Sequence, residues 1–140
     1  MFNTLPANFL SKINSGDASQ IVIGNENSSS IPDGSSGFIF QITNNQGSDI
    51  LVTSLIFGFD ITYSKLVIEV KNTQKNKFLI SGNCQLINLG IPNSTKSAPA
   101  DFEIIPFVLS SGQYIEVYAS NTLGIAVPAK SISLTIKGIQ

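Results

Sequence analysis

The chain has 140 residues, of which 42% are hydrophobic, and a formal net charge of −1; this size and composition suit one folded domain rather than a disordered segment. Charged residues make up only 12% of the sequence, about half the usual share. The eight basic residues are all lysines and histidine is absent, which excludes an arginine-based nucleic-acid surface and every catalytic triad or dyad that needs histidine.

The N-terminal segment differs from the rest of the chain. Its apolar residues recur at helical spacing: Phe2, Leu5, Phe9, Leu10 and Ile13. Thr4 and Pro6 suit the beginning of a helix and Gly16 suits its end. Residues 1–18 are therefore predicted to form an apolar arm or a short helix, at about 5–14, ahead of a single domain at 19–140. The arm either straps the protein's own domain or docks on a neighbouring subunit.

From residue 19 onward the apolar period changes to two, which predicts β-strands. Strands are expected at about 20–23, 38–43, 50–57, 65–71, 78–80, 84–89, 102–109, 113–119 and 131–137. Eight or nine strands with glycine-rich turns and no crossover helix predict an all-β antiparallel sandwich. The long connections and the absence of tryptophan favour a jelly roll over an immunoglobulin topology.

The strand at 101–109 is apolar on both faces. Alternation places Ile105, Phe107 and Leu109 on one face and mainly apolar residues on the other. An antiparallel strand with one solvated face should alternate, so the second face is covered either by a loop or the arm, or by another subunit. Pro106 lacks an N–H group, which predicts an edge strand or a bulge at that point.

No catalytic, cofactor or metal site is predicted. Asp101 and Glu103 lie two apart on one strand, a spacing that could hold calcium or act in glycoside hydrolysis, but two solvated carboxylates explain them more simply. The single cysteine, Cys84, suits a small buried apolar side chain. The sequence shows neither a secretory signal nor a transmembrane run, so folding in the cytosol is expected.

Tyr114 and Tyr118 share one face of the strand at 113–119. Exposed rings of this kind are common in sugar sites, so a lectin-like groove formed with the loop at 90–100 is one interpretation. Packing of the two rings under a loop or against a neighbour is the other.

From Ile21 to Ile139 the chain resembles the small single jelly-roll structural proteins of bacterial and archaeal viruses, such as penton, decoration and spike-base proteins. The segments Gly47–Leu55 and Ser110–Tyr118 carry the resemblance. It implies a non-enzymatic virion component, assembled in the host cytoplasm, that forms a homo-oligomer (a pentamer or a trimer) and contacts other capsid proteins. The low charge suits such burial against neighbours, although an AT-rich genome would favour the same composition.

The expected assembly contacts are the apolar residues of the arm and of the doubly apolar strand: Phe2, Leu5, Phe9, Leu10, Ile105, Phe107 and Leu109. The alternative function is a carbohydrate-binding, lectin-like or adhesin module, cytoplasmic or at the cell surface, which uses Tyr114 and Tyr118.

Overall fold

The computed structural model of the protein describes residues 5–89 and 101–140. These ranges contain one helix, α1 (Ala7–Ser15), and the following strands: β1 (Gln20–Glu26), β2 (Ser36–Thr43), β3 (Ile50–Gly58), β4 (Val67–Asn72), β5 (Lys77–Gln85), β6 (Asp101–Leu109), β7 (Tyr114–Ser120) and β8 (Ser133–Ile139). Two single turns of 3₁₀ helix, at Ile61–Tyr63 and Leu86–Asn88, lie in the connections that follow β3 and β5.

The strands form two four-stranded antiparallel sheets. Sheet 1 has the order β1-β8-β3-β6 and sheet 2 has the order β2-β7-β4-β5. The first strand pairs with the eighth and the third with the sixth in sheet 1, while the second pairs with the seventh and the fourth with the fifth in sheet 2. The chain is thus a long two-stranded ribbon folded over on itself, which is the connectivity of a jelly roll. The predicted all-β sandwich is confirmed.

The core lies between the two sheets because alternate residues of most strands are apolar. In β7 and β8, inward residues such as Ile115, Val117, Leu134 and Ile136 are buried, while the residues between them are half-buried. The central strand β3 is buried along nearly all of its length. This strand is therefore covered on both faces, as its continuous apolar sequence requires.

The predicted N-terminal helix is confirmed as α1. Gly16 ends it in the left-handed conformation, with φ of 81°, which glycine adopts without steric cost. Phe9 is only 1% exposed, yet it does not belong to the core cluster between the sheets, and the same is true of Leu51. Leu51 points to the outer face of sheet 1, since its neighbours on β3 point inward. Its pairing partner Ile139 also pairs with Gln20, so this spot lies where the chain from α1 enters the sheet.

A buried asparagine closes one corner at which the ribbon passes between the sheets. Asn44 follows β2, and its Nδ2 donates to the carbonyls of Ser48 at 2.9 Å and of Leu109 at 2.8 Å. Its Oδ1 accepts from the N–H of Gln46 at 3.1 Å. One side chain therefore binds three backbone groups, two in the β2–β3 connection and one at the end of β6.

A second asparagine repeats this arrangement at the next corner. Asn121 follows β7, and its Nδ2 donates to the carbonyls of Ile125 and Ile31, both at 2.9 Å. Its Oδ1 accepts from the N–H of Leu123 at 3.0 Å. In both cases the partners are the carbonyl four residues later, the N–H two residues later, and one carbonyl of the facing segment of the ribbon.

The sequence carries this repeat as a short motif. Each asparagine is followed three residues later by a glycine at positive φ (Gly47 and Gly124) and six residues later by a fully buried β-branched residue (Ile50 and Val127). The glycine makes the turn. Ile50 then begins β3, whereas Val127 forms an isolated bridge with Ile31 of the β1–β2 connection. The two long corners of the ribbon thus use one local solution.

One predicted turn and one predicted strand are wrong. A turn at 81–83 was expected between the predicted strands at 78–80 and 84–89. Instead, β5 runs through these residues to Gln85, with Gly82 at φ 80°. The strand expected at 84–89 is instead the 3₁₀ turn. Leu86 and Leu89 are both buried, and a 3₁₀ helix brings residues three apart onto the same side.

Candidate interaction surfaces

The first candidate surface is a groove along one long side of the sandwich, between β5 and β6, which are the outermost strands of their sheets. We call it the edge groove. It has a volume of about 380 Å³. Its lining residues are Asn72, Lys75, Lys77, Phe78, Leu79, Ile104, Ile105, Pro106 and Phe107. The floor is apolar, and lysines provide the rim.

A bulge in β6 pushes an apolar side chain into solvent beside this groove. Between the pairs Val52–Phe107 and Ser54–Glu103, β3 has one intervening residue and β6 has three. The extra residues of β6 include Ile105, which is 74% exposed. The prediction that β6 is an edge strand or bulged at its proline is confirmed on both counts.

The bulge also corrects the predicted faces of this strand. Ile105, Phe107 and Leu109 do not share a face: Leu109 is fully buried in the core, Phe107 packs partly buried against it, and Ile105 points to solvent. Alternation fails because the extra residues shift the phase of the strand between Ile105 and Phe107. Of these three residues, Ile105 is therefore the one most open to a partner.

The second candidate surface is a row of three rings on the outer face of sheet 2. The centroid of the Tyr118 ring lies 6.1 Å from that of Phe38, in an edge-to-face arrangement, and 6.3 Å from that of Phe78. These spacings and angles are favourable for aromatic pairs. Phe38 is 50% exposed and Phe78 is 45% exposed, so the row presents apolar area to solvent.

Polar groups surround this aromatic row. The Tyr118 hydroxyl donates to Glu116 Oε1 at 2.9 Å. This hydrogen bond, with a smaller contribution from burial, raises the pKa of Tyr118 above its usual value, because the neutral phenol is the form that donates to a carboxylate. The Lys71 Nζ lies 5.8 Å from the centre of the Phe78 ring, within cation–π range.

The two surfaces are continuous because Phe78 belongs to both: it lines the edge groove and contacts Tyr118 in the row. An apolar surface therefore runs from the middle of sheet 2, around its outermost strand, to Ile105 on sheet 1. Extended exposed apolar surfaces on soluble domains generally mark interaction sites.

The residues predicted in the N-terminal arm fall into different environments. Phe2 lies outside the described residues. Leu5 is half-buried, Phe9 is buried against the protein's own chain, and Leu10 is 44% exposed. Phe9 thus packs its ring against its own subunit, and Leu10 is the most exposed of the described arm residues that were predicted as assembly contacts.

The tyrosines predicted for a sugar site are half-buried on the outer face of β7. Only Tyr118 belongs to the aromatic row. Phe38 and Phe78, the partners of this ring, were not predicted from the sequence. The missing signal was the β2–β7 register, in which Phe38 is opposite Tyr118.

The other predicted chemical groups are not brought together among the side chains that the structure describes. The backbones of Asp101 and Glu103 lie in β6 opposite β3, but their side chains lie outside the described residues. Cys84 is half-buried against the core, and burial raises the pKa of its thiol, which disfavours the reactive thiolate. Among the side chains that the structure describes, no group of three or more His, Cys, Asp or Glu residues could hold a metal ion.

Within residues 5–89 and 101–140, no helix is both long and apolar enough to span a membrane. Comparison with protein-family models gives no match, and neither does comparison with curated protein sequences.

Proposed function

We propose that the protein is a virion structural protein, a capsid vertex, decoration or spike-base component, which acts by forming a homo-oligomer. The observation that carries the proposal is the continuous apolar surface from Tyr118 through Phe78 to Ile105, on a domain with few charged residues. Stable interfaces combine an apolar, well-packed centre that contains few charges with a polar, solvent-accessible rim. The edge groove has this composition, since Leu79, Pro106 and Phe107 line its centre.

The backbone of β6 favours side-chain contacts over strand addition. Pro106 offers no N–H group, and the bulge around it interrupts the regular row of backbone donors and acceptors along this edge. Both devices disfavour the pairing of a further strand. A partner therefore meets this side through the groove and the Ile105 side chain, which gives a closed and specific contact rather than an extending sheet.

Two further points support a virion role rather than another assembly. Eight-stranded jelly rolls are used for viral capsid and lectin domains. The resemblance to small jelly-roll virion proteins favours the first of these two uses. Fold analogy alone does not fix a function, so the proposal depends on the assembly experiment below.

The test is native mass spectrometry of the wild-type protein and of two matched variants. Ile105→Glu places a charge at the centre of the proposed contact, whereas Ile61→Glu makes the same change at another exposed isoleucine, 64% accessible, on the 3₁₀ turn after β3. We expect wild type and Ile61→Glu to form the same closed oligomer and Ile105→Glu to be monomeric. A wild-type monomer at all concentrations, or an unchanged oligomer for Ile105→Glu, would contradict the proposal.

The role of the arm needs a separate variant. Deletion of residues 1–14 should weaken assembly, but it also removes Phe9, which is buried on the protein's own chain. Leu10→Glu changes an exposed arm residue and leaves Phe9 in place. If the arm docks on a neighbour, the dissociation constant of the Leu10→Glu oligomer should be at least tenfold higher than that of wild type. An unchanged dissociation constant would mean that the arm contacts only its own subunit.

The virion assignment itself is tested on particles. Virus particles purified from a culture of the source organism should contain the chain at a fixed ratio to the main capsid protein, as measured by quantitative mass spectrometry. If the particles lack the chain while the lysate contains it as free protein, the virion role would be wrong even if the protein assembles.

A second candidate function, carbohydrate binding, is favoured by the aromatic row. Aromatic faces stack on the apolar faces of sugars, and the Glu116 carboxylate beside Tyr118 could accept from sugar hydroxyls. A glycan array should then give hits that are lost in Tyr118→Ala and Phe38→Ala but retained in Tyr114→Phe, whose ring lies outside the row. An array without hits for the wild-type protein would remove this candidate.

A further inference from the structure

We propose that copies of the chain assemble head to tail, with the edge groove of one copy against the opposite long side of the next. This inference rests on the homo-oligomer proposed above and identifies the two surfaces that form its contact. It is argued from the shape and the charge of the two sides.

The opposite long side is formed by β1 and β2, which are the other outermost strands of the two sheets. At one end of this side, where the β1–β2 connection meets the beginning of β2, lies a second groove of about 320 Å³, which we call the serine groove. The lining residues are Ser29, Ser30, Ile31, Pro32, Ser35, Ser36, Gly37, Phe38, Ile39 and Ala119. Its walls are small and uncharged and its floor is apolar, so a projecting apolar side chain can enter it without burying a charge.

Among the described side chains, those beside the two grooves differ in charge. Between Ile13 and Ser64 the sequence has five carboxylates and no lysine, whereas the segment Lys65–Lys77 has four lysines and one carboxylate. Glu26 and Asp33 stand in the chain on either side of the wall of the serine groove, while Lys75 and Lys77 line the edge groove. Lys130 also lies near the serine groove, since its backbone N–H donates to the Asn27 carbonyl. With the two carboxylates Glu26 and Asp33 against this one lysine, the surroundings of the serine groove keep a net negative charge.

This asymmetry decides between two modes of self-association. In a two-fold contact the edge groove meets itself, which brings Lys75 and Lys77 of both copies together and costs free energy. In a head-to-tail contact the lysines face the carboxylates of the next copy, and Ile105 faces the serine groove. Such a contact between unlike surfaces repeats around a ring when the rotation closes, which agrees with a trimer or a pentamer.

The experiment uses two variants, each with one damaged side. Ile105→Glu damages the edge groove and leaves the serine groove intact. Ser30→Lys damages the serine groove, at an exposed residue whose side chain lies outside the core, and leaves the edge groove intact. Alone, each variant should be a folded monomer by circular dichroism and native mass spectrometry.

Mixed in equal amounts, the variants should form assemblies that contain both chains, since the intact serine groove of one copy receives the intact edge of the other. Their different masses report the composition directly. If Ser30→Lys alone assembles as wild type does, the serine groove is not part of the contact; a mixture that stays monomeric also overturns the head-to-tail contact. Both of these failures leave the homo-oligomer standing, whereas a wild-type protein that never assembles overturns the proposed assembly together with its surfaces.

Discussion

Replacement of Asn44 by alanine should destabilise the fold by about as much as the loss of a large core side chain. The change removes two donated hydrogen bonds, to Ser48 and to the carbonyl of Leu109, and one accepted from Gln46. Each is worth about 1 kcal/mol net, and more where the abandoned partner stays buried. The expected loss is about 3 kcal/mol in the free energy of unfolding, or roughly a 10 °C fall in the melting temperature for a domain of this size.

The assay is urea unfolding followed by far-ultraviolet circular dichroism. It is best carried out in the Ile105→Glu background, so that subunit dissociation does not add to the measured free energy. The matched control is Asn45→Ala. Asn45 is the exposed neighbour, and its Oδ1 accepts from the exposed Gln46 side chain; this control should change stability by no more than about 0.5 kcal/mol.

The repeated motif provides a second, independent check. Asn121→Ala should cost the same about 3 kcal/mol, because Asn121 makes the same set of bonds at the other corner. The two sites lie at opposite ends of β7, roughly 20 Å apart along the strand, so the two losses should add. If Asn44→Ala proved no worse than Asn45→Ala, the corners would be held by packing alone and the reasoning would be refuted.

Three further predictions concern the sheet, the arm and the aromatic row. Gly138→Ala should destabilise the protein by about 1–3 kcal/mol in urea unfolding, because an added Cβ would overlap the backbone carbonyl of the neighbouring strand β3. Phe9→Ala should cost about 3 kcal/mol and reduce the helical signal in circular dichroism, whereas Leu10→Ala should be near neutral in the monomer. Glu116→Gln should lower the pKa of Tyr118 towards its ordinary value of 10.0, as read from tyrosinate absorbance.

Each of these predictions has an outcome that would contradict it. An unchanged stability of Gly138→Ala would mean that β8 moves freely away from β3. A loss for Leu10→Ala as large as that for Phe9→Ala would mean that the helix packs on a different face. For Tyr118, the folded-state pKa is raised, so the stabilisation from its bond to Glu116 is present below about pH 10 and is lost as the pH rises through the folded value; Glu116→Gln should remove this pH dependence.

The strand content was predictable because most strands bury one face and therefore alternate. The helix was predictable from apolar spacing and from the glycine at its end. The errors arose where tertiary contacts override the local pattern. At Gly82 a positive φ lets β5 continue through residues that resemble a turn, and at Ile105 a bulge reverses the side to which the side chain points.

The candidate surfaces were less accessible to sequence reasoning. Ile105 was identified because a strand that is apolar on both faces is unusual, but Leu109, chosen for the same reason, belongs to the core. The row formed by Phe38, Tyr118 and Phe78 depends on the pairing of strands that are distant along the chain. Register of this kind is set by the whole sheet and leaves no local trace in the sequence.

The pairing of β1 with β8 has a consequence for the biosynthesis of the protein. Ser19 and Gln140 exchange two backbone hydrogen bonds, and β8 lies between β1 and β3 in sheet 1. Because β8 follows all the other described strands in the sequence, β1 lacks its partner strand until the rest of the domain has been synthesised. Topologies with such distant pairings fold slowly and expose unpaired edges meanwhile, so this domain should complete its fold only once β8 has left the ribosome and should benefit from a chaperone that shields nascent strands.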